Sequence, residues 1–239
     1  MKSNSDFLEN RHIYDQVSNA NSLLIQKNLV IQNFGNASRR FHHMCLIKGS
    51  GIDSSKVKSS DIVAVELKTG RYSSHIKPST DTPTHIELYK SFSDIGGIVH
   101  SHSPYATAWA QAAIPIPCLG TTHADYWSDE IPITRSLTDK EINDEYERET
   151  GKVIIEKIKE LNVDPLDCPG ILVENHGSFT WGKTVEGAVK HAELLEYIAR
   201  LAWLSLSINS DAKSISKILL NKHFTRKHGP EAYYGQDSE

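Results

Sequence analysis

Three short β-like runs, Leu29 to Asn33, Met44 to Ile47 and Asp61 to Leu67, follow one another with no helical pattern between them. Gly97 to His102 and Ile171 to Glu174 read as two further strands. These strands outnumber the crossover helices that an all-parallel sheet needs. The expected fold is therefore α/β, with a central, largely antiparallel or mixed sheet flanked by helices, not a doubly wound sheet.

The helical patterns supply the flanking layers. Ile13, Val17, Ala20 and Leu24, with Leu8 before them, keep helical spacing. Thr82-Pro83 opens a helix over THIELYKSF, and Ser103-Pro104 opens another over YATAWAQAA, each with a capping hydroxyl and proline at the first helical position. Thr138-x-x-Glu141 is a capping box whose helix places Ile142, Tyr146, Val153, Ile154, Ile158 and Leu161 on one face. The longest helix runs from about Thr184 to Ile208, with Ala188, Leu195, Ile198, Ala202 and Leu206 on one stripe. Thr69-Gly70 marks a turn. No repeat or flexible linker divides the chain, so a single domain over residues 1–239 is expected.

Composition excludes several classes of function. No apolar run approaches the ~20 residues of a membrane helix, and the opening MKSNSDFLENRH lacks the apolar stretch of a signal peptide. Cys45, Cys118 and Cys168 are odd in number and in no CxxC pattern, which points to a reducing cytoplasm and no disulfide framework. A net charge of -4 with one short basic run, HFTRKH at 223–228, argues against nucleic acid as a partner. The outlier is histidine, of which there are 12.

His100-Ser101-His102 is the most informative triplet. Residues i and i+2 of a strand share a face about 6.5 Å apart, near enough for two imidazoles to converge on one ion. Isolated, such a triplet is more often two polar residues on a wet face. Here it ends an apolar strand just before a helix, and His176 and Asp81 stand at other element ends. Zinc takes histidine nitrogens and carboxylates in that arrangement. Asp125, in TTHADY, is a general acid or base beside such a site or else a turn aspartate. Gly35-Asn36, Lys48-Gly49-Ser50-Gly51 and Ser79-Thr80 are small polar segments that offer N–H groups, hydroxyls and one charge to an anion. Tyr233 and Tyr234 lie in a tail that composition alone reads as frayed, although two exposed tyrosines hint that it docks.

One motif points elsewhere. Gly177-x-x-x-x-Gly182-Lys183-Thr184 satisfies the P-loop pattern for nucleotide phosphates. Its interior, Ser178-Phe179-Thr180-Trp181, is bulky and β-inclined where a phosphate-wrapping loop needs permissive residues. The expected reading is a turn followed by an N-cap at Thr184.

Taken in order, KPSTDTPTH (77–85), GGIVHSH, GTTHADY, ILVENHG and RKHGPEAYYGQ form a series that resembles the class II aldolase/adducin family, from about Asn28 to Gln236. Within that family it is most similar to the L-ribulose-5-phosphate 4-epimerase branch. The resemblance implies a three-layer fold and one divalent metal per subunit, normally zinc, on Asp81, His100, His102 and His176. It implies an acid/base pair of Asp125 and Tyr234, the tyrosine reaching a neighbouring subunit from a tail over about 221–239. Substrate contacts fall on Gly35, Asn36, Lys48, Ser50, Gly51, Ser79 and Thr80, with His223 and Arg226 near a phosphate and Glu147 supporting the catalytic aspartate. The implied partners are a sugar phosphate and three further copies of the chain in a C4 tetramer with sites at the interfaces. Gly49, Thr80 and Glu174-Asn175 depart from the family pattern, Gly49 standing where proline is usual. A metal-dependent aldolase on a sugar phosphate is the nearest rival, and a non-catalytic adducin-like domain the next.

Overall fold

The computed structural model of the protein describes residues 10–228 together with 232 and 233. Six strands, β1 (Asn36–Phe41), β2 (Met44–Lys48), β3 (Ile62–Glu66), β4 (Gly97–Ser101), β5 (Gly170–Val173) and β6 (Gly177–Gly182), form one sheet. Their order is β3-β2-β1-β4-β6-β5, and every neighbouring pair is antiparallel. The helices are α1 (Arg11–Gln26), α2 (Thr82–Ser91), α3 (Pro104–Gln111), α4 (Thr121–Ala124), α5 (Asp139–Asn143), α6 (Tyr146–Leu161), α7 (Val185–Ile208) and α8 (Lys217–Thr225).

Period-two alternation along the strands divides the core between two faces. Cys45, Ile47, Val63, Val65, Ile98, Phe179 and Trp181 point one way, into a cluster closed by Leu88 and Tyr89 of α2 and Ile154 and Ile158 of α6. On the other face Ala37 and Val99 meet Ala20 and Leu24 of α1 and Val185, Ala188 and Ala192 of α7. Leu46 and Ile62 pack there with Ile13 and Val17. The result is the expected three layers, helices on either side of an antiparallel sheet. Fully burying a side chain such as Ile98 is worth roughly 1.5–3 kcal/mol. A one-residue slip of β4 would forfeit that for every inward residue at once, so its register is firmly set.

Two details correct the sequence reading, and a third bears it out. Leu29 to Asn33 is not a strand: Asn28 and Gln32 adopt φ of 56° and 55°, and those left-handed residues break the extended run. The strand lies further on, at Asn36–Phe41, where NASRRF looks too polar to be central. Its polar groups find partners inside the fold, Arg40 for example donating to the carbonyls of Tyr89, Phe92 and Ser93. The capping box at Thr138 is real, but it serves only the short α5; the chain breaks at Asp144 and α6 starts anew. Ile142, Tyr146 and Leu161 are exposed as a result, and Val153, Ile154, Ile155 and Ile158 carry the buried face. Finally, residues 177–182 are a fully buried strand, which leaves no loop to wrap a phosphate. Thr184 is the N-cap of α7, its Oγ1 accepting from the Gly187 N–H at 3.1 Å.

The first turn of α7 rests directly on the start of β4. A Cβ on Gly97 would stand 2.3 Å from Val185 Cα and 2.5 Å from Val185 N, both backbone atoms that cannot turn aside. Gly97→Ala is expected to cost about 1–3 kcal/mol, typical of overpacking. A lower urea midpoint at unchanged slope would show it; an unchanged midpoint would contradict the packing.

Candidate metal centre

Across β1, β4 and β6, the residues Asn36, His100 and Phe179 stand in one row. The His100 ring stacks on Phe179 with centroids 4.2 Å apart and planes 15° from parallel, which fixes its orientation. Its Nδ1 lies 3.0 Å from the Ser178 carbonyl oxygen. A carbonyl only accepts, so the ring hydrogen is on Nδ1 and the Nε2 lone pair faces outward. His102, one residue past the end of β4, brings its Nε2 to 3.0 Å from that of His100. His176 arrives from the three-residue turn between β5 and β6, in which Asn175 takes φ of 60° and the His176 N–H donates to Val173 O at 3.0 Å. Glu174 and Asn175 are thus turn residues; the Glu174 carboxylate accepts from the Ser136 hydroxyl. The three rings have centroids 4.7–5.0 Å apart.

This donor set fits a divalent ion. One nitrogen from each of His100, His102 and His176 lies within 4.8 Å of the other two. Two ligands of a tetrahedral zinc with bonds of about 2.0–2.1 Å would be about 3.3 Å apart, close to the His100–His102 spacing of 3.0 Å. Burial, with the neighbouring His100, pulls His102 down to about 4 and His176 to about 3. At neutral pH these imidazoles are therefore uncharged, the form that binds metal.

Asp81 lies beside these three histidines, its carboxylate acting electrostatically on the site. It stands at the N-cap of α2, and its Oδ2 accepts from Asn36 Nδ2 at 2.5 Å. Burial alone would raise its carboxyl, and His100, His85, Asn36 and His176 more than offset that, leaving it below the ordinary range. Asn36 also donates to Ser79 Oγ at 3.2 Å, while its own Oδ1 is buried with no partner among the described residues.

The small polar segments do meet. Ser50 N–H donates to Lys77 O and Ser79 N–H to Lys48 O, each at 2.9 Å, so the 48–51 loop is laced to the strand-like run before Asp81. Gly49 N–H donates to Asp61 O at 2.9 Å, a bond proline could not make, so glycine here pins the loop. Ser50, Gly51 and Thr80 are exposed beside it. Gly35, at φ of 103°, lies so close that a Cβ would be 2.7 Å from His100 O. Lys48 is almost wholly buried and donates to Ile52 O at 2.7 Å, burial lowering its pKa.

Asp125 lies elsewhere among its contacts. Arg226 reaches it at 3.1 and 2.8 Å, His223 at 3.0 Å and Lys227 at 3.1 Å, while His228 Nε2 sits 3.0 Å from its carbonyl oxygen. His223, Arg226, Lys227 and His228 thus gather on this chain's own aspartate; Tyr234 and most of the tail lie outside the described residues. Burial would raise the Asp125 carboxyl, and the hydrogen bonds from Arg226, His223 and Lys227 outweigh it and hold it low. Glu147, on α6, shows its carbonyl accepting from Thr84.

A family model described as the class II aldolase and adducin N-terminal domain matches residues 15–203, most of the chain. The protein belongs to that family. The class II aldolase fold is seen also in an L-fuculose 1-phosphate aldolase, at 21% identity and TM-score 0.76 over 90% of this chain and 95% of that one. L-fuculose-1-phosphate aldolase from Thermus thermophilus is similar at 19% identity and TM-score 0.68, covering 86% of this chain and 100% of its own. A sugar-phosphate aldolase from Thermotoga maritima gives 18% identity and TM-score 0.64, over 83% and 97%.

Sequence reasoning passes over several residues of this class II aldolase-type site. Tyr146, which its spacing assigns to the core, brings its hydroxyl to 3.5 Å from His176 Nδ1 at the rim. Lys227, in a run that composition assigns to a solvated helix end, instead contacts Asp125. His85 stands inside the recognisable KPSTDTPTH run, yet only the fold shows it buried beneath the site.

The aspartate clamp has a pH signature. An aspartate in an unfolded chain titrates near 3.9, about where the clamp begins to matter. Because the folded value is lower, the stabilisation is full above that pH and lost as the pH falls through the folded value. Hydrogen exchange over 217–228 should accelerate in that acid range, and Asp125→Asn should accelerate it already at neutral pH. Unchanged protection in the variant would contradict the clamp.

Proposed function

We propose that this protein is a metal-dependent epimerase that converts L-ribulose 5-phosphate into D-xylulose 5-phosphate. The observation that carries this reading is the meeting of three imidazoles with Asn36, Ser79 and Asp81 at the end of β4, on a class II aldolase fold. The motif series that matches the epimerase branch supports it, including an aspartate at position 81 where the family's aldolases carry a glutamate base.

Carbon 4 of the substrate bears no acidic hydrogen, so inversion requires breaking the C3–C4 bond. A base takes the C4 hydroxyl proton, C4 becomes the aldehyde carbon of glycolaldehyde phosphate, and the electron pair of the broken bond stays on the three-carbon ketone fragment. His100, His102, His176 and Asp81 would hold a divalent ion, zinc in this reading, which would supply Lewis-acid stabilisation for that charge. The aldehyde turns its other face, the bond re-forms, and the new C4 oxygen takes a proton from the opposite side. Two groups are therefore needed, Asp125 and, from a neighbouring subunit of a C4 tetramer, Tyr234. Exposed Ser50, Gly51 and Thr80 hold the phosphate while the aldehyde turns, and the unpartnered Asn36 Oδ1 accepts from a substrate hydroxyl. The clamp on Asp125 gives His223 and Arg226 a second task. A phosphate drawn to them competes for the same donors and lets the Asp125 carboxyl rise toward the range of a useful base.

The aldolase reading is kept because the similar structures carry that name. An adducin-like binding role is disfavoured by the intact histidine set.

Zinc-loaded protein incubated with L-ribulose 5-phosphate should yield D-xylulose 5-phosphate without free aldehyde. Glycolaldehyde phosphate accumulating with no epimer would replace the epimerase reading with the aldolase one. His102→Asn should lose bound zinc and turnover together, and full zinc stoichiometry in that variant would sink the ligand assignment.

A further inference from the structure

His85 is wholly buried on α2, one helical turn from Asp81, and its backbone N–H donates to Asp81 O at 3.2 Å. The ring meets Phe179 edge-on, with centroids 6.0 Å apart, on the same phenyl that His100 stacks against. Asp81 and His100 are the charged or titratable groups that act on it. No side chain in the mechanism above uses it.

Its hydrogen can be placed by following a buried relay. Ser38 Oγ lies between the Tyr89 hydroxyl, 2.9 Å away, and His85 Nδ1, 2.6 Å away. Tyr89 is buried, its phenol kept protonated by that burial, and its oxygen meets Ser38 alone among the described residues. Cys45 is the third side chain hydrogen-bonded to Ser38, and its sulfur is a weak acceptor beside an imidazole nitrogen; the phenol therefore donates to Ser38, and the serine hydrogen goes to His85 Nδ1. A nitrogen that accepts carries no hydrogen of its own, so the ring hydrogen is on Nε2. That Nε2 is buried with no partner among the described residues. A buried N–H donor without an acceptor is destabilising, and a wholly buried ring leaves no route to bulk water.

The nearest anionic group in the same helical turn is the Asp81 carboxylate, and Asn36 occupies only its Oδ2. We propose that His85 is a positioning residue for Asp81: its Nε2–H donates to the free carboxylate oxygen when Asp81 joins the three histidines around a divalent cation. The inference rests on the reading of Asp81 as a ligand. Tyr89, Ser38 and His85 then form a one-directional hydrogen-bond chain that ends on the carboxylate and sets which oxygen faces the ion. Partners of this kind commonly govern metal affinity by about 10–100-fold.

Cobalt(II) binding to the full chain, by chelator competition and by its visible absorption, tests this. His85→Leu should bind cobalt about 10–100-fold more weakly and shift the absorption band, as loss of a ligand's partner does. His85→Gln, which keeps an N–H donor near the same place, should recover most of the affinity and the band. Ser38→Ala, which frees the ring hydrogen to choose either nitrogen, should weaken binding by less than His85→Leu and keeps the test open if the leucine variant fails to fold. Wild-type affinity in His85→Leu, or a glutamine variant as weak as the leucine one, would overturn the inference. Asp81→Ala separates the two readings: if it binds cobalt like wild type, Asp81 is no ligand and both fall. If it weakens binding and His85→Leu does not, the His85 inference falls alone.

Discussion

The antiparallel pairing of β4 with β1 on one side and β6 on the other is what everything else hangs from. That register sets Asn36, His100 and Phe179 in a row, so the amide, the imidazole and its stacking partner arrive together by backbone hydrogen bonding alone. The next row, Ser38, Ile98 and Trp181, lies on the same face and begins the core. A site built from adjacent rows of a central sheet inherits the rigidity of that sheet. It needs no strained backbone at His100 to aim the ring.

The other donors come from the places where a sheet permits irregularity. His102 is past the end of its strand, His176 sits in a hairpin turn, and Asp81 caps a helix. Two of them are held by ordinary local chemistry: His176 by a left-handed Asn175 in the turn, and Asp81 by proline at the start of α2 and Asn36 reaching across to its carboxylate. The segments about Gly49 and Ser79 are tied by backbone hydrogen bonds to each other, so the polar edge of the site is a continuous rim.

How much of this was legible in the sequence follows from what each signal measures. The HxH triplet at a strand end and the capping at Thr184 are local events, and they stand where the sequence puts them, whereas the helix at Thr82-Pro83 starts one residue earlier than its spacing suggests, with Asp81 and not Thr82 at the N-cap. The strand Asn36–Phe41 was hidden because periodicity counts apolar residues, whereas Asn36, Ser38 and Arg40 are buried or half-buried by virtue of partners distant in sequence. The same limit explains His85, whose importance depends on Ser38 and Tyr89 approaching from other positions in the fold. In the opposite sense, the Gly-Lys-Thr match looked meaningful because a pattern of letters carries no burial; six buried residues in a strand settle it. The clamp on Asp125 could not be read from spacing, since it joins residues about a hundred positions apart.

The hairpin that carries His176 also bears on how the molecule holds together. β5 is an edge strand of the sheet, its outer side hydrogen-bonded by the short stretch around Pro132 to Thr134, and the margin of a sheet has fewer bonds to break than its middle. An ion shared between that hairpin turn and the end of β4 would fasten the sheet's margin to its middle, closing a long loop of chain as a cross-link does. Occupancy of the centre and fraying of the sheet margin then become a single equilibrium, and the protein's resistance to proteases along β5 would report how full its metal site is.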